Sequence, residues 1–159
     1  EKLERKPITS YALVLIDLDH FKRINDQYGH DKGDETLIKV SEILSQIIRD
    51  SDVVGRFGGE EFILVLAQKT LREALDIAER CRKEIEHSYF TTDKKIRLKV
   101  TASFGVALSN SQLCKEAVIR HADQALYMAK KQGRNQVRHY FEVEQYQKAL
   151  KHTSGSIIE

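Results

Sequence analysis

The chain has 159 residues, of which 41% are hydrophobic and 31% charged, with a formal net charge of +2. That length suits one domain, which buries roughly 70% of the surface its unfolded chain exposes and so needs no disulfide staple. So small a net charge excludes a general nucleic-acid or membrane-surface binder, while leaving room for a local basic pocket.

Tyr11–Leu18 is a nearly continuous apolar run ending in Asp17-Leu18-Asp19, and predicts a strand buried on both faces. A short helix follows over Phe21–Tyr28, closed by Gly29. A longer one is expected from about Asp34 to Arg49, with Leu37, Ile38, Ser41, Leu44, Ile47 and Ile48 near helical spacing. Val53–Phe57 and Glu61–Leu66 flank Gly58-Gly59-Glu60, which predicts a hairpin with a tight primed turn at the glycines. Thr70-Leu71-Arg72-Glu73 is a capping box opening a helix with the stripe Leu71, Ala74, Leu75, Ala78, Cys81 and Ile85.

Ile96–Leu108 reads as strand with a bulge at Gly105, Glu116–Lys131 as helix, and Gln136–Tyr140 as a last short strand. From Phe141 the chain turns polar, and Thr153-Ser154-Gly155-Ser156 reads as a frayed tail. Strands alternating with helices around a hairpin predict a mixed sheet covered by helices. Cys81 and Cys114 lack metal-type spacing and read as reduced, structural residues. No stretch is long enough to span a bilayer and no signal peptide is visible. A cytoplasmic domain is therefore expected, its parent protein soluble or anchored to the inner membrane.

Asp17 and Asp19 close a buried strand, where a carboxylate is costly unless something neutralises it. Two carboxylates about 4 Å apart repel by roughly 4 kcal/mol at an effective dielectric near 20, and a divalent cation reverses that sign. Read singly, both residues serve equally well as caps of the next helix or turn. Glu60 and Glu61 follow glycines that leave the backbone open to a phosphate or metal, though two solvated acids beside a turn fit the same letters. If the first strand lies beside the hairpin, Asp17 and Glu60 converge at one sheet edge, a set of oxygen donors that suits Mg²⁺ with substrate phosphates. Lys22, Lys130 and Arg134 supply positive charge, although cations at a helix C-terminus are also favoured by its dipole. No P-loop motif is present. Asn25 and Asp34 carry groups able to read a guanine edge, and each also suits a cap. His30 reads as a loop residue or a substrate contact.

These residues carry a resemblance. Asp17-Leu18-Asp19-His20-Phe21-Lys22-Arg23-Ile24-Asn25-Asp26 with Gly29-His30-Asp31-Lys32-Gly33-Asp34 resembles the D-x-D-x-F-K-x-x-N-D…G-H-x-x-G-D block of the GGDEF (diguanylate cyclase) family. Gly58-Gly59-Glu60-Glu61-Phe62 is similar to the GGEEF form of its signature, and Lys130-Lys131-Gln132-Gly133-Arg134-Asn135 to its K-x-x-G-R-N close. The motifs fall in the family's order from Asp17 to Asn135. The family usually opens with D-x-L-T-G-L-x-N-R-R, which is absent here, and the expectation is that a longer chain carries it.

The resemblance implies a palm-like α/β (α+β) sandwich, a mixed and mostly antiparallel sheet flanked by helices with GGEEF on a β-hairpin, as in nucleotide cyclases. It implies a cyclase domain over 1–140 and a polar helix or tail over 141–159. The implied activity condenses two GTP into cyclic di-GMP, with Mg²⁺ or Mn²⁺, across a homodimer under the control of sensory or regulatory domains elsewhere in the full-length chain. Asp17, the Leu18 carbonyl, Glu60 and Glu61 would hold metal, and Glu60 would also activate the attacking 3′-hydroxyl. Lys22 would stabilise transition-state charge, Asn25 and Asp34 would read guanine, His30 would help bind substrate, and Lys130 and Arg134 would hold phosphates. The family's inhibitory R-x-x-D site falls on Arg49-Asp50-Ser51-Asp52, with Arg80 as a second arginine for cyclic di-GMP. The rival reading is a catalytically inactive sensor of GTP or cyclic di-GMP, for which the metal-type carboxylates would have no use.

Overall fold

The computed structural model describes residues 10–91, 95 and 97–155. The expected strand start at Ile96, the polar run Glu1–Lys6 and Ser156 lie outside these residues. Five strands form the main sheet in the order β2-β3-β1-β6-β7: β2 (Val53–Arg56), β3 (Glu61–Ala67), β1 (Tyr11–Leu18), β6 (Ala102–Leu108) and β7 (Val137–His139). All neighbours are antiparallel except β6 and β7, so the sheet is mixed and mostly antiparallel. β4 (Phe90–Thr91) and β5 (Arg97–Leu98) pair separately.

β1 is central and buried on both faces, which accounts for its unbroken apolar run. Ala12, Val14, Ile16 and Leu18 enter the larger core with α1 (Phe21–Tyr28), α2 (His30–Ile47) and α3 (Leu71–His87). Leu13 and Leu15 point the other way, onto Val118, Ala122 and Leu126 of α4 (Lys115–Lys131). The period-2 alternation that separates these two sets also decides on which face Asp17 emerges. The capping box of α3 is complete, with Thr70 accepting from the Glu73 amide at 3.2 Å and Glu73 accepting from the Thr70 amide at 3.1 Å. Burial lifts the Cys81 thiol to about 12, so it is an inert core residue, while Cys114 stands exposed before α4.

Several expectations are corrected. α2 begins at His30, not near Asp34, because Gly29 (φ +90°) ends α1 and starts α2 with no capping side chain to announce it. Its buried face runs through Thr36, Leu37, Val40, Ile43 and Leu44, leaving Ile38 61% exposed. Gly58 and Gly59 do not adopt positive φ, so the hairpin is not a primed turn; residues 57–60 form a longer loop closed on the Glu61 carbonyl by the amides of Phe57 (2.9 Å) and Gly58 (3.4 Å). Gly105 sits in unbroken register with Leu15 and Arg138, so it makes no bulge. It is the point where α4 lies against the sheet: a Cβ there would fall 2.2 Å from the Ala122 carbonyl oxygen and 2.3 Å from the Leu126 nitrogen.

The single strand expected over 96–108 is broken before Ala102, where the Thr101 carbonyl accepts from the Asp19 amide at 2.9 Å. Beyond β7, α5 (Tyr140–Gly155) carries the helix through Thr153-Ser154-Gly155, where a frayed tail was expected. Among the described residues no helix is long and apolar enough to cross a membrane.

Candidate active site

The end of β1 meets the start of β3. Asp17 and Glu61 are direct antiparallel partners, and the Leu18 amide donates to the Glu60 carbonyl at 3.3 Å. The glycine loop is tied down by Arg56, whose Nη2 donates to the Gly59 carbonyl at 2.6 Å, and nothing lies within 4 Å of the space a Gly59 Cβ would take. A small pocket of about 160 Å³ opens here, lined by Asp17, Leu18, Lys22, Glu60, Lys130 and Arg134 together with Asp19, His20 and Phe21. Carboxylates and cations from β1, α1, the hairpin loop, α4 and the turn after α4 thus share one cleft.

Their charges are unevenly balanced. Asp17 is buried, and its Oδ2 accepts from Lys130 Nζ. The Glu61 carboxyl is pushed above the usual carboxylate range, first by burial and then by the negative charge of Asp17, with Lys130 pulling the other way. Among the described residues no three acidic, histidine or cysteine side chains form a ready metal cage. The donors present are carboxylate and carbonyl oxygens around a repelling acid pair, which suits a hard cation that keeps waters and shares substrate phosphates.

Asp19, two residues from Asp17, does something different. Its carboxylate accepts from Thr101 Oγ1 (2.7 Å), Ser103 Oγ (2.7 Å) and the Asn135 amide (3.0 Å). It fastens the end of β1 to the start of β6 and to the turn that carries Arg134. In that turn Gly133, Arg134 and Asn135 all adopt positive φ (118°, 62° and 45°), a left-handed run that costs energy at the two non-glycines. The sequence offered Asp19 only as one of a cation-neutralised acid pair or as a cap, and gave Asn135 no role, so their places inside the quoted motifs were the only signal of this fastening.

Asn25, His30 and Asp34 gather on the α1–α2 hairpin and do not line the pocket. Asn25 is packed against α2 at Gly33, where a Cβ would fall 1.8 Å from Asn25 Oδ1, so a larger residue there would make the Asn25 amide turn away. Lys22, exposed on α1, is the residue of this hairpin's polar set that lines the pocket. The Arg49 and Asp52 pair forms a separate turn. Asp52 is buried, and its two oxygens accept from the amides of Arg49 (3.1 Å) and Ala67 (2.9 Å), while Arg49 itself is exposed. Arg80 is exposed on α3, which packs against α2.

Comparison with known proteins matches residues 1–136 to the family described as "Diguanylate cyclase, GGDEF domain". The chain belongs to that family. The GGDEF domain is 42% identical over 129 residues to diguanylate cyclase DosC of Escherichia coli (strain K12), an alignment covering 81% of this chain and 28% of that protein. The chain therefore spans under a third of that relative's length. Its fold resembles the active GGEEF domain of a diguanylate cyclase from Vibrio cholerae (TM-score 0.75, 37% identity, 83% of each chain). It also resembles the GGDEF domain of DgcB from Caulobacter crescentus in complex with c-di-GMP (TM-score 0.80, 28% identity, 83% of this chain and 78% of that one). The mixed sheet flanked by helices is the palm-like arrangement of these structures.

Proposed function

We propose that this chain is the catalytic domain of a diguanylate cyclase, joining two GTP into cyclic di-GMP with release of two pyrophosphates. The observation that carries the reading is one pocket where the carboxylates of Asp17 and Glu60 share walls with Lys22, Lys130 and Arg134. Guanine lies against Asn25 and Asp34, with His30 beside the substrate, and the triphosphate runs to Lys130 and Arg134. Asp17, the Leu18 carbonyl, Glu60 and Glu61 would hold Mg²⁺. When bound, the metal supplies Lewis-acid charge neutralisation at the reacting phosphate.

Glu60 takes the proton of a ribose 3′-hydroxyl as that oxygen bonds to the α-phosphorus of the other GTP. The bond from the α-phosphorus to the bridging oxygen breaks, and pyrophosphate leaves with the electron pair. A second identical step closes the ring. Lys22 offsets charge that builds on the phosphoryl oxygens, and positioning supplies most of the remaining acceleration. One pocket presents one GTP, so two chains meet face to face. Cyclic di-GMP returns to inhibit through Arg49 and Arg80, with Asp52 holding the Arg49 turn.

The test is incubation with GTP and Mg²⁺ followed by chromatography for cyclic di-GMP, with Glu60→Ala alongside. Product from the native chain and none from the variant is the expected result, with a rate that rises more than linearly with protein concentration. Binding of cyclic di-GMP with no turnover selects the inactive-sensor reading instead.

A further inference from the structure

The side chain of Arg82 on α3 is only 14% exposed although it is a guanidinium far along the chain from the pocket. Three groups hold it. Nε and Nη2 form a fork onto Glu79 at 3.0 and 2.6 Å, while Nη1 donates to Glu86 at 2.5 Å and to Asn135 Oδ1 at 3.0 Å. The Glu86 carboxyl is held below its usual range, first by Asn135 and then by Arg82. Asn135 is thus gripped at its side chain by Arg82 of α3, while its backbone amide is bound by Asp19. Asn135 and its neighbour Arg134 are non-glycine residues in left-handed conformation, so the turn needs outside restraint to persist. Arg134 lines the pocket.

We infer that Arg82 is a positioning residue: through Asn135 it holds the left-handed turn 133–135 in the shape that presents Arg134 to the phosphates of the nucleotide. This rests on the reading of Arg134 as a phosphate-binding residue. Arg82 touches no substrate. Its two acidic partners orient the guanidinium, and its remaining donor fixes the Asn135 amide. A bidentate hold of this kind suits arginine over lysine, which offers a point charge on a flexible stem.

Two measurements on the whole chain test it. The first is titration with 3′-deoxy-GTP and Mg²⁺, a nucleotide that lacks the attacking hydroxyl. Arg134→Ala is expected to weaken binding roughly tenfold, about 1.4 kcal/mol. Arg82→Gln and Asn135→Ala should weaken it to a similar degree, and Arg82→Gln/Arg134→Ala no further than Arg134→Ala alone. Asn135→Ala leaves the Arg82 ion pairs with Glu79 and Glu86 in place, so it answers the question if Arg82→Gln does not fold. Arg82→Lys should recover only part of the loss. The second measurement needs no nucleotide: amide hydrogen exchange at Arg134 and Asn135 should speed up about tenfold or more in Arg82→Gln.

Native-like exchange at this turn, or losses from Arg82→Gln and Arg134→Ala that add in full, overturns the positioning role and leaves the cyclase reading standing. Tight binding by Arg134→Ala overturns that arginine's phosphate role and this inference with it. No binding by the native chain, with exchange still faster in Arg82→Gln, overturns the nucleotide reading alone and retains the hold on the turn.

Discussion

Lys130 on α4 donates to the Asp17 carboxylate at the end of β1, so a lysine neutralises the acid proposed to hold metal. Asp17 lies directly across from Glu61 and its charge pushes the Glu61 carboxyl up, a rise that Lys130 opposes. On the proposed reading, the ammonium and a divalent ion would compete for the same oxygens. Lys130 is therefore expected to yield Asp17 as the metal–nucleotide complex arrives and to turn to the phosphates.

Removing the lysine should free the carboxylates for metal. Lys130→Met is expected to raise Mn²⁺ affinity of the nucleotide-free chain by about tenfold, or 1.4 kcal/mol, while lowering cyclic di-GMP formation. Paramagnetic titration reads the first effect and chromatography the second. Unchanged or weaker Mn²⁺ binding would show that the pair does not compete with metal.

The two aspartates of one motif should separate cleanly. Asp17→Asn removes a charge that repels Glu61 and leaves a partly exposed lysine to water, so thermal stability should move by less than about 1 kcal/mol while turnover disappears. Asp19→Asn removes the charge that accepts from Thr101, Ser103 and Asn135, and the loss of hydrogen bonding to a buried charged group costs about 1.5–3 kcal/mol. At about 2–4 °C per kcal/mol, the midpoint should fall by several degrees. Parallel thermal melts and activity assays check both, and an equal fall in midpoint for the two variants refutes the division of roles.

How much of this was legible in the sequence follows from the range of the interactions. β1 announced itself because both faces are covered, and α3 because its capping box is local. The start of α2 was hidden because a glycine without a side chain serves both helix ends. The Asp17, Glu60 and Lys130 cluster was foreseen through motifs. The work of Asp19 was not, because its donors lie 82, 84 and 116 residues away and nothing near it in sequence marks them. Arg82 was invisible for the same reason, its contact with Asn135 spanning 53 residues.

Gly105 was misread as a bulge because glycine in a strand marks either a kink or a close approach, and the letters do not distinguish them. The contact distances do. Gly105→Ala would set a methyl against the backbone of Ala122 and Leu126, which cannot rotate away. Overpacking of this kind costs about 1–3 kcal/mol, and α4 would have to lift from the sheet. A lower denaturation midpoint is expected, with weaker nucleotide binding because Lys130 rides on α4. A midpoint within 1 °C of native would mean, at about 2–4 °C per kcal/mol, that the helix has slack there.

The last expectation concerns pH. His121 on α4 stacks on Tyr140 of α5, with ring centroids 3.6 Å apart and planes within 3°. Burial lowers its pKa below the ordinary value, the nearby Arg120 lowers it further, and Glu144 opposes both. The folded chain therefore holds this proton less readily than the unfolded chain. Between the folded and unfolded values the unfolded state binds more protons, so stability rises with pH there. The contribution is complete above the unfolded value near 6.5 and drains away as pH falls through the lowered folded value. Part of the acid sensitivity below pH 6.5 should thus reside at the α4–α5 contact. His121→Phe keeps an aromatic ring for Tyr140 and removes the proton, so its stability curve between about pH 4.5 and 7 should be flatter than that of the native chain. Identical slopes for the two proteins would show that protonation of this ring plays no part in holding α5.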